Sequence, residues 1–83
     1  PNPFFTATSL DFSLAKAGPV EMVIFSVDGR RVRNLVRGVR EPGEYHMSWD
    51  GRDDGGQVLG AGVYFARLAT SQGRFVRTIT FLK

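Results

Sequence analysis

Apolar and polar side chains alternate strictly over residues 9–14, with Leu10, Phe12 and Leu14 on one side and Ser9, Asp11 and Ser13 on the other. A period of two marks a half-buried β-strand, because successive side chains point to opposite faces. Lys16-Ala17-Gly18-Pro19 interrupts the run, and a second strand is expected over residues 20–27. There Val20, Met22 and Ile24 share one face, while Val23, Phe25 and Val27 make the other face apolar too. Either a bulge switches the inward face midway, or the strand is covered on both sides. In a small sandwich the bulge is the preferred reading. Without it, Phe25 would lie on an outer face and could dock a neighbouring domain.

Asp28-Gly29 between two strand-like runs predicts a tight hairpin with a type I′ turn, which needs positive φ at both central residues. Residues 31–37 follow, with Val32 and either Leu35 or Val36 inward. Val32, Leu35 and Val36 also fit a helical period, but neither flanking glycine supplies an N-cap, so strand is preferred. Glu41-Pro42-Gly43 is a turn. Residues 44–49 alternate again, with Tyr45, Met47 and Trp49 inward and Glu44, His46 and Ser48 toward water. Over residues 62–69, Tyr64, Ala66 and Leu68 are expected inward, because Arg67 on the opposite face should stay wet. Ser71-Gln72-Gly73-Arg74 turns the chain into a last strand over residues 75–82, whose two apolar faces leave its register open. Six or seven short strands with turns every 8–12 residues predict an all-β antiparallel sandwich.

At 83 residues the chain is expected to form a single module, with residues 1–5 as a linker. It has no cysteine, so sheet pairing and apolar packing must stabilise it. It opens on Pro1 and holds no apolar stretch near the ~18 residues of a membrane span. An excised piece of a larger protein is expected, with Phe81-Leu82-Lys83 as a natural C-terminus and no membrane insertion. The net charge of +3 rests mostly on arginine. Nucleic-acid binding is not expected from so weak a field. Arg30, Arg31, Arg33, Arg37 and Arg40 instead protect an exposed strand edge, since the nearest aromatic, Phe25, reads as core rather than as a stacking platform.

Enzyme chemistry fails on inventory, so no catalytic residue is assigned. His46 is the single histidine, expected on a water face beside Ser48 with no Asp placed to orient it. Asp11 and Glu21 lie on separate strands and do not read as paired carboxylates. Gly60-Ala61-Gly62 precedes a strand, whereas a phosphate cradle needs a helix N-terminus. Asp50, Asp53 and Asp54, with glycines between and after them, offer oxygen ligands for calcium, yet Arg52 stands at a ligand position and no downstream Glu completes the set. Asx-type bonds from Asp50 and Asp53 to the loop backbone explain the same residues, so no metal or cofactor is assigned. Tyr45, Trp49, Tyr64, Phe65 and Phe75 could form a sugar-stacking platform, but a core explains most of them better.

Asn2-Pro3-Phe4, Leu10-Asp11-Phe12-Ser13-Leu14, Gly18-Pro19-Val20, residues 24–32 with Leu35, Pro42-Gly43, residues 49–56 and Gly62-Val63-Tyr64-Phe65 together carry a resemblance. The chain resembles the FlgD-like immunoglobulin-like domain of the flagellar hook-capping protein. The same pattern occurs at the C-terminus of many secreted bacterial proteins, including those with type IX secretion sorting domains. Phe25-Ser26 departs from the Tyr-Asp usual there. The resemblance implies an immunoglobulin-like β-sandwich of about seven short strands, without catalytic residues, appended to a larger secreted or cell-surface bacterial protein. It implies a role in secretion sorting or surface attachment, with the last strand as the recognised element. The expected partners are the parent's upstream domain and the secretion or cell-surface machinery, with the module itself a monomer. The alternatives are a structural assembly domain of a flagellar hook cap and a carbohydrate-binding accessory module.

Overall fold

A computed structural model of the chain describes residues 8–81. Six strands follow in order: β1 (Thr8–Leu14), β2 (Gly18–Ser26), β3 (Arg31–Arg40), β4 (Gly43–Trp49), β5 (Gly62–Thr70) and β6 (Gly73–Phe81). They form two antiparallel sheets, a four-stranded one in the order β3-β2-β5-β6 and a two-stranded one of β1 with β4. The expected linker at residues 1–5, and the expected close of the last strand at Leu82 and Lys83, lie outside the described residues.

The inward faces meet as the alternation predicts. Leu10, Phe12 and Leu14 of β1 and Trp49 of β4 pack against Val20, Met22 and Ile24 of β2 and Tyr64 and Ala66 of β5. Val32 and Val36 of β3 and Ile79 and Phe81 of β6 close the core at its two sides, with Tyr45, Met47, Leu35 and Leu68 packed against it. Burying a dozen such side chains is the main favourable contribution, at roughly 1.5–3 kcal/mol each before chain entropy is set against it.

Several local expectations change. The second strand keeps one inward face throughout, because its register with β5 runs unbroken from Val20↔Thr70 to Ser26↔Tyr64. The irregularities fall between β2 and β3, where β3 supplies extra residues at Leu35 and Val32. Phe25 therefore lies on the outer face, not in the core, and pairs with Phe65. The bulges belong to the edge strand, where the unpaired side tolerates an extra residue and the added twist discourages foreign pairing.

Pro19 does not end the preceding break but sits inside β2, opposite Val39 of β3. Pairing with β5 starts only at Val20, so the missing N–H of Pro19 interrupts no ladder there. The 26–30 hairpin is not a two-residue type I′ turn. The Gly29 N–H donates to the Ser26 carbonyl at 3.0 Å and the Ser26 N–H to the Arg30 carbonyl at 2.9 Å, which encloses a three-residue loop. Gly29 alone takes a positive φ, 84°, while Asp28 keeps a negative one; this is the hairpin class in which a type I turn precedes a left-handed residue. Ser26 Oγ–H donates to the Asp28 carboxylate, and that bond holds Asp28 below the usual carboxylate range.

The narrow β1–β4 layer does not cover the whole four-stranded sheet. Phe75 and Arg77 of β6 share the inward side with Ile79 and Phe81, yet Phe75 is 57% exposed. It borders a cleft of about 150 Å³ lined also by Leu10, Met22 and Leu68.

Candidate functional site

Two places collect the residues singled out above: the Asp/Gly loop after Trp49, and the outer face of the four-stranded sheet. The loop is built around the indole. Trp49 is fully buried, with Tyr64 edge-on at 5.2 Å and Phe81 tilted at 6.2 Å between ring centroids. Its Nε1–H donates to the Arg52 carbonyl at 2.9 Å, so the one polar group of the side chain reaches the backbone just beyond it. That geometry requires the chain to reverse at Gly51, whose φ is 78° and whose missing Cβ leaves room for the Phe81 ring.

The aspartates then fold the loop, as Asx chemistry predicts. Asp50 Oδ1 accepts from the Arg52 N–H at 3.2 Å, and Asp53 Oδ1 accepts from the Gln57 N–H at 2.9 Å. Asp54 behaves as a substitute strand residue. Its N–H donates to the Val32 carbonyl at 3.0 Å and its carboxylate accepts from the Asn34 N–H at 3.0 Å, which caps the β3 edge at its bulge.

A cation does sit among these oxygens, but it is a side chain. The Arg33 guanidinium donates to the Asp53 carbonyl at 3.3 Å and reaches the Arg52 carbonyl at 3.5 Å. It also lies 3.9 Å from the Asp50 carboxylate and 4.0 Å from that of Asp54. Arg52 adds a bond to the Gly56 carbonyl at 2.9 Å and an ion pair to Asp50 at 3.7 Å. Among the described residues, no three carboxylate or imidazole groups converge on one point. The sequence pattern places Arg33 with the edge-protecting arginines; the bulge beside Val32 turns it to the inner side, opposite Ile24, where it meets the loop.

His46 requires a correction. An aspartate does stand beside it: Asp11 is its cross-strand partner on β1, with Oδ1 3.3 Å from Nδ1. Strand register, invisible along the chain, brings the two together. Both are well exposed on a flat polar face with Ser9, Ser13, Glu44 and Ser48, and among the described residues no hydrogen bond joins His46 to a serine.

The aromatics that a sugar platform would need are dispersed, with Trp49 and Tyr64 in the core. Tyr64 is buried, its hydroxyl donating to the Gly60 carbonyl at 2.6 Å, and burial raises its pKa above the usual phenol value. Tyr45 stacks on Phe12 at 5.0 Å and donates to the Glu41 carbonyl. In both strands the tyrosine follows a positive-φ glycine by two residues, Gly43 or Gly62, and ties back to the carbonyl four residues earlier. This is the same kind of lock as the tyrosine corner of immunoglobulin-like sandwiches.

On the outer face of the four-stranded sheet, Phe25 and Phe65 lie side by side. Arg67 and Arg31 lie over Phe25, with Cζ 4.8 and 5.7 Å from the ring centroid, and Glu21 pairs with both arginines at 3.4 and 3.8 Å. Arg67 is thus less wet than expected, and its Nε is enclosed with no hydrogen-bond partner. The aromatic neighbour explains the arrangement, since a guanidinium stacks on a ring while its charged tip still meets a carboxylate. Val76 is 65% exposed and Val27 74%, and both line a shallow depression with Phe25, Phe65 and Arg67.

Six antiparallel strands in two facing sheets, a core tryptophan and tyrosine locks at the strand starts define an immunoglobulin-like β-sandwich module. The family model of the FlgD Ig-like domain matches residues 5–74, and the chain belongs to that family. No curated protein and no solved structure matches the chain significantly. The family match ends within β6, although Ile79 and Phe81 beyond it complete the core.

Proposed function

We propose that this domain is a non-catalytic docking module that sorts a larger exported bacterial protein for secretion or attaches it at the cell surface. The observation that carries this reading is the contrast between the two outer faces of the sandwich. The outer face of the β1–β4 sheet carries Ser9, Asp11, Ser13, Glu44, His46 and Ser48, whereas that of the larger sheet presents Phe25, Val63, Phe65 and Val76, with Val27 of the adjoining loop beside them. A clustered apolar face on a small domain marks contact with another protein surface more often than it marks chemistry. The paired His46 and Asp11 are both well exposed, which suits a solvated surface pair better than a reaction centre. The test is to fuse the domain to a reporter in a host with type IX secretion. Export or surface retention of the fusion, lost in the Val27→Glu/Val76→Glu double variant, is the expected result. A reporter that stays inside the cell defeats the reading.

The second reading is a structural assembly domain of a flagellar hook cap, and the family match favours it. It predicts co-assembly of the domain with hook or cap subunits, and a glycosidase or protease as the adjoining domain would exclude it.

A further inference from the structure

We propose that the outer face of the four-stranded sheet docks an acidic polypeptide surface: apolar side chains against the Phe25–Phe65 depression, carboxylates against the surrounding arginines. This deepens the docking reading and rests on it. The strand registers place five rows on this face, the first of them Val39 with Pro19. One row holds Arg37, Glu21, Ala69 and Arg74; the next holds Asn34, Val23, Arg67 and Val76. Arg31, Phe25, Phe65 and Thr78 follow, then Val63 and Thr80, while Val27 of the hairpin loop borders the depression with Phe25 and Phe65. The face thus carries four arginines against one carboxylate, Glu21, which is already engaged by Arg31 and Arg67. That excess of three equals the net charge of the entire chain, so the seven remaining cations and seven remaining carboxylates cancel elsewhere.

Apolar side chains and a net positive charge therefore coincide on one side of the molecule. Charge complementarity selects an anionic occupant and disfavours a second copy of the same face. The type of cation narrows the choice. All four are arginines, which bind carboxylates through two parallel bonds and are, with phenylalanine, enriched in protein interfaces where lysine is depleted. A nucleic acid would need free rings for stacking, but the Phe25 ring is taken by Arg31 and Arg67. A lipid surface favours protruding aromatic or leucine side chains, whereas here valines protrude and the rings lie half-buried.

The experiment titrates the isotope-labelled domain with a random Glu/Tyr copolymer, with polyglutamate and with phosphatidylglycerol vesicles, and follows backbone amide shifts. The copolymer should bind about tenfold tighter than polyglutamate, as one or two buried apolar side chains imply. Shifts should centre on Phe25, Phe65 and Val76 and spare β1 and β4. Raising salt from about 20 to about 200 mM, which shortens the screening length severalfold, should weaken binding. Val27→Glu and Val76→Glu alter exposed positions and should each lower affinity about tenfold, counting lost apolar contact and added repulsion. His46→Ala on the opposite face should leave it unchanged. Equal binding of the two polymers, tighter binding to vesicles, or self-association through this face would each overturn the proposal. If the reporter is still delivered while the copolymer fails to bind, the acidic partner is wrong and the docking reading survives. If the copolymer binds but the reporter is not delivered, the acidic partner stands and the delivery role is wrong.

Discussion

Replacing Gly51 with alanine tests the central packing arrangement at a single atom. Gly51 has φ 78°, and a Cβ placed there would lie 2.6 Å from Cζ, 2.7 Å from Cε2 and 3.1 Å from Cε1 of Phe81. The left-handed backbone alone costs an L-residue about 1–2 kcal/mol. The contact adds to that, because the Phe81 ring must shift by most of an ångström. It is buried against the fully enclosed Trp49, and overpacking of such sites costs about 1–3 kcal/mol. The sum is about 2–5 kcal/mol, against roughly 4–12 kcal/mol for the total stability of a domain this size. Gly56→Ala is the matched control, since Gly56 has φ 86° and nothing within 4 Å of its would-be Cβ. It should cost only the backbone part. In urea, with a slope near 1 kcal/mol/M, Gly51→Ala should lower the midpoint by at least about 1 M more than Gly56→Ala. Adding Phe81→Leu to Gly51→Ala should recover about 1 kcal/mol in a double-mutant cycle, because the smaller side chain frees the space. Equal midpoints for the two glycine variants, or no coupling to position 81, would refute the proximity of loop and ring.

Three further outcomes follow from the same contacts. Trp49→Phe removes the Nε1–Arg52 bond and part of the core volume, and should cost about 2–4 kcal/mol by denaturation, with faster hydrogen exchange across residues 50–59. Arg33→Met should cost about 1 kcal/mol, a small figure because the ion pairs are partly exposed; faster amide exchange at Asn34 and Asp54 would report loosening of the edge cap, and unchanged exchange at both would count against Arg33 as the loop's internal cation. Burial raises the folded-state pKa of Tyr64, so its stabilising contribution is complete below the unfolded value near 10 and is lost as pH rises through the folded one; Tyr64→Phe should flatten the fall in melting temperature above about pH 10.

The amino-acid sequence by itself determined the strands and the inward faces of β1, β4 and β5. Alternation at Leu10, Phe12 and Leu14, at Tyr45, Met47 and Trp49, and at Tyr64, Ala66 and Leu68 is a local consequence of pleating, so it can be read without knowing any neighbour. The Asx bonds of Asp50 and Asp53 were legible for the same reason, since donor and acceptor lie within four residues of one another. Tertiary structure alone decided what register and layer order create. It set His46 beside Asp11 and moved the irregularity expected in β2 onto the edge strand β3. It carried Arg33 into the Asp/Gly loop from twenty residues away and laid Arg67 over Phe25 from more than forty. These contacts depend on which strands become neighbours and where a bulge slips the pairing, and side-chain periodicity along one strand carries no information about either.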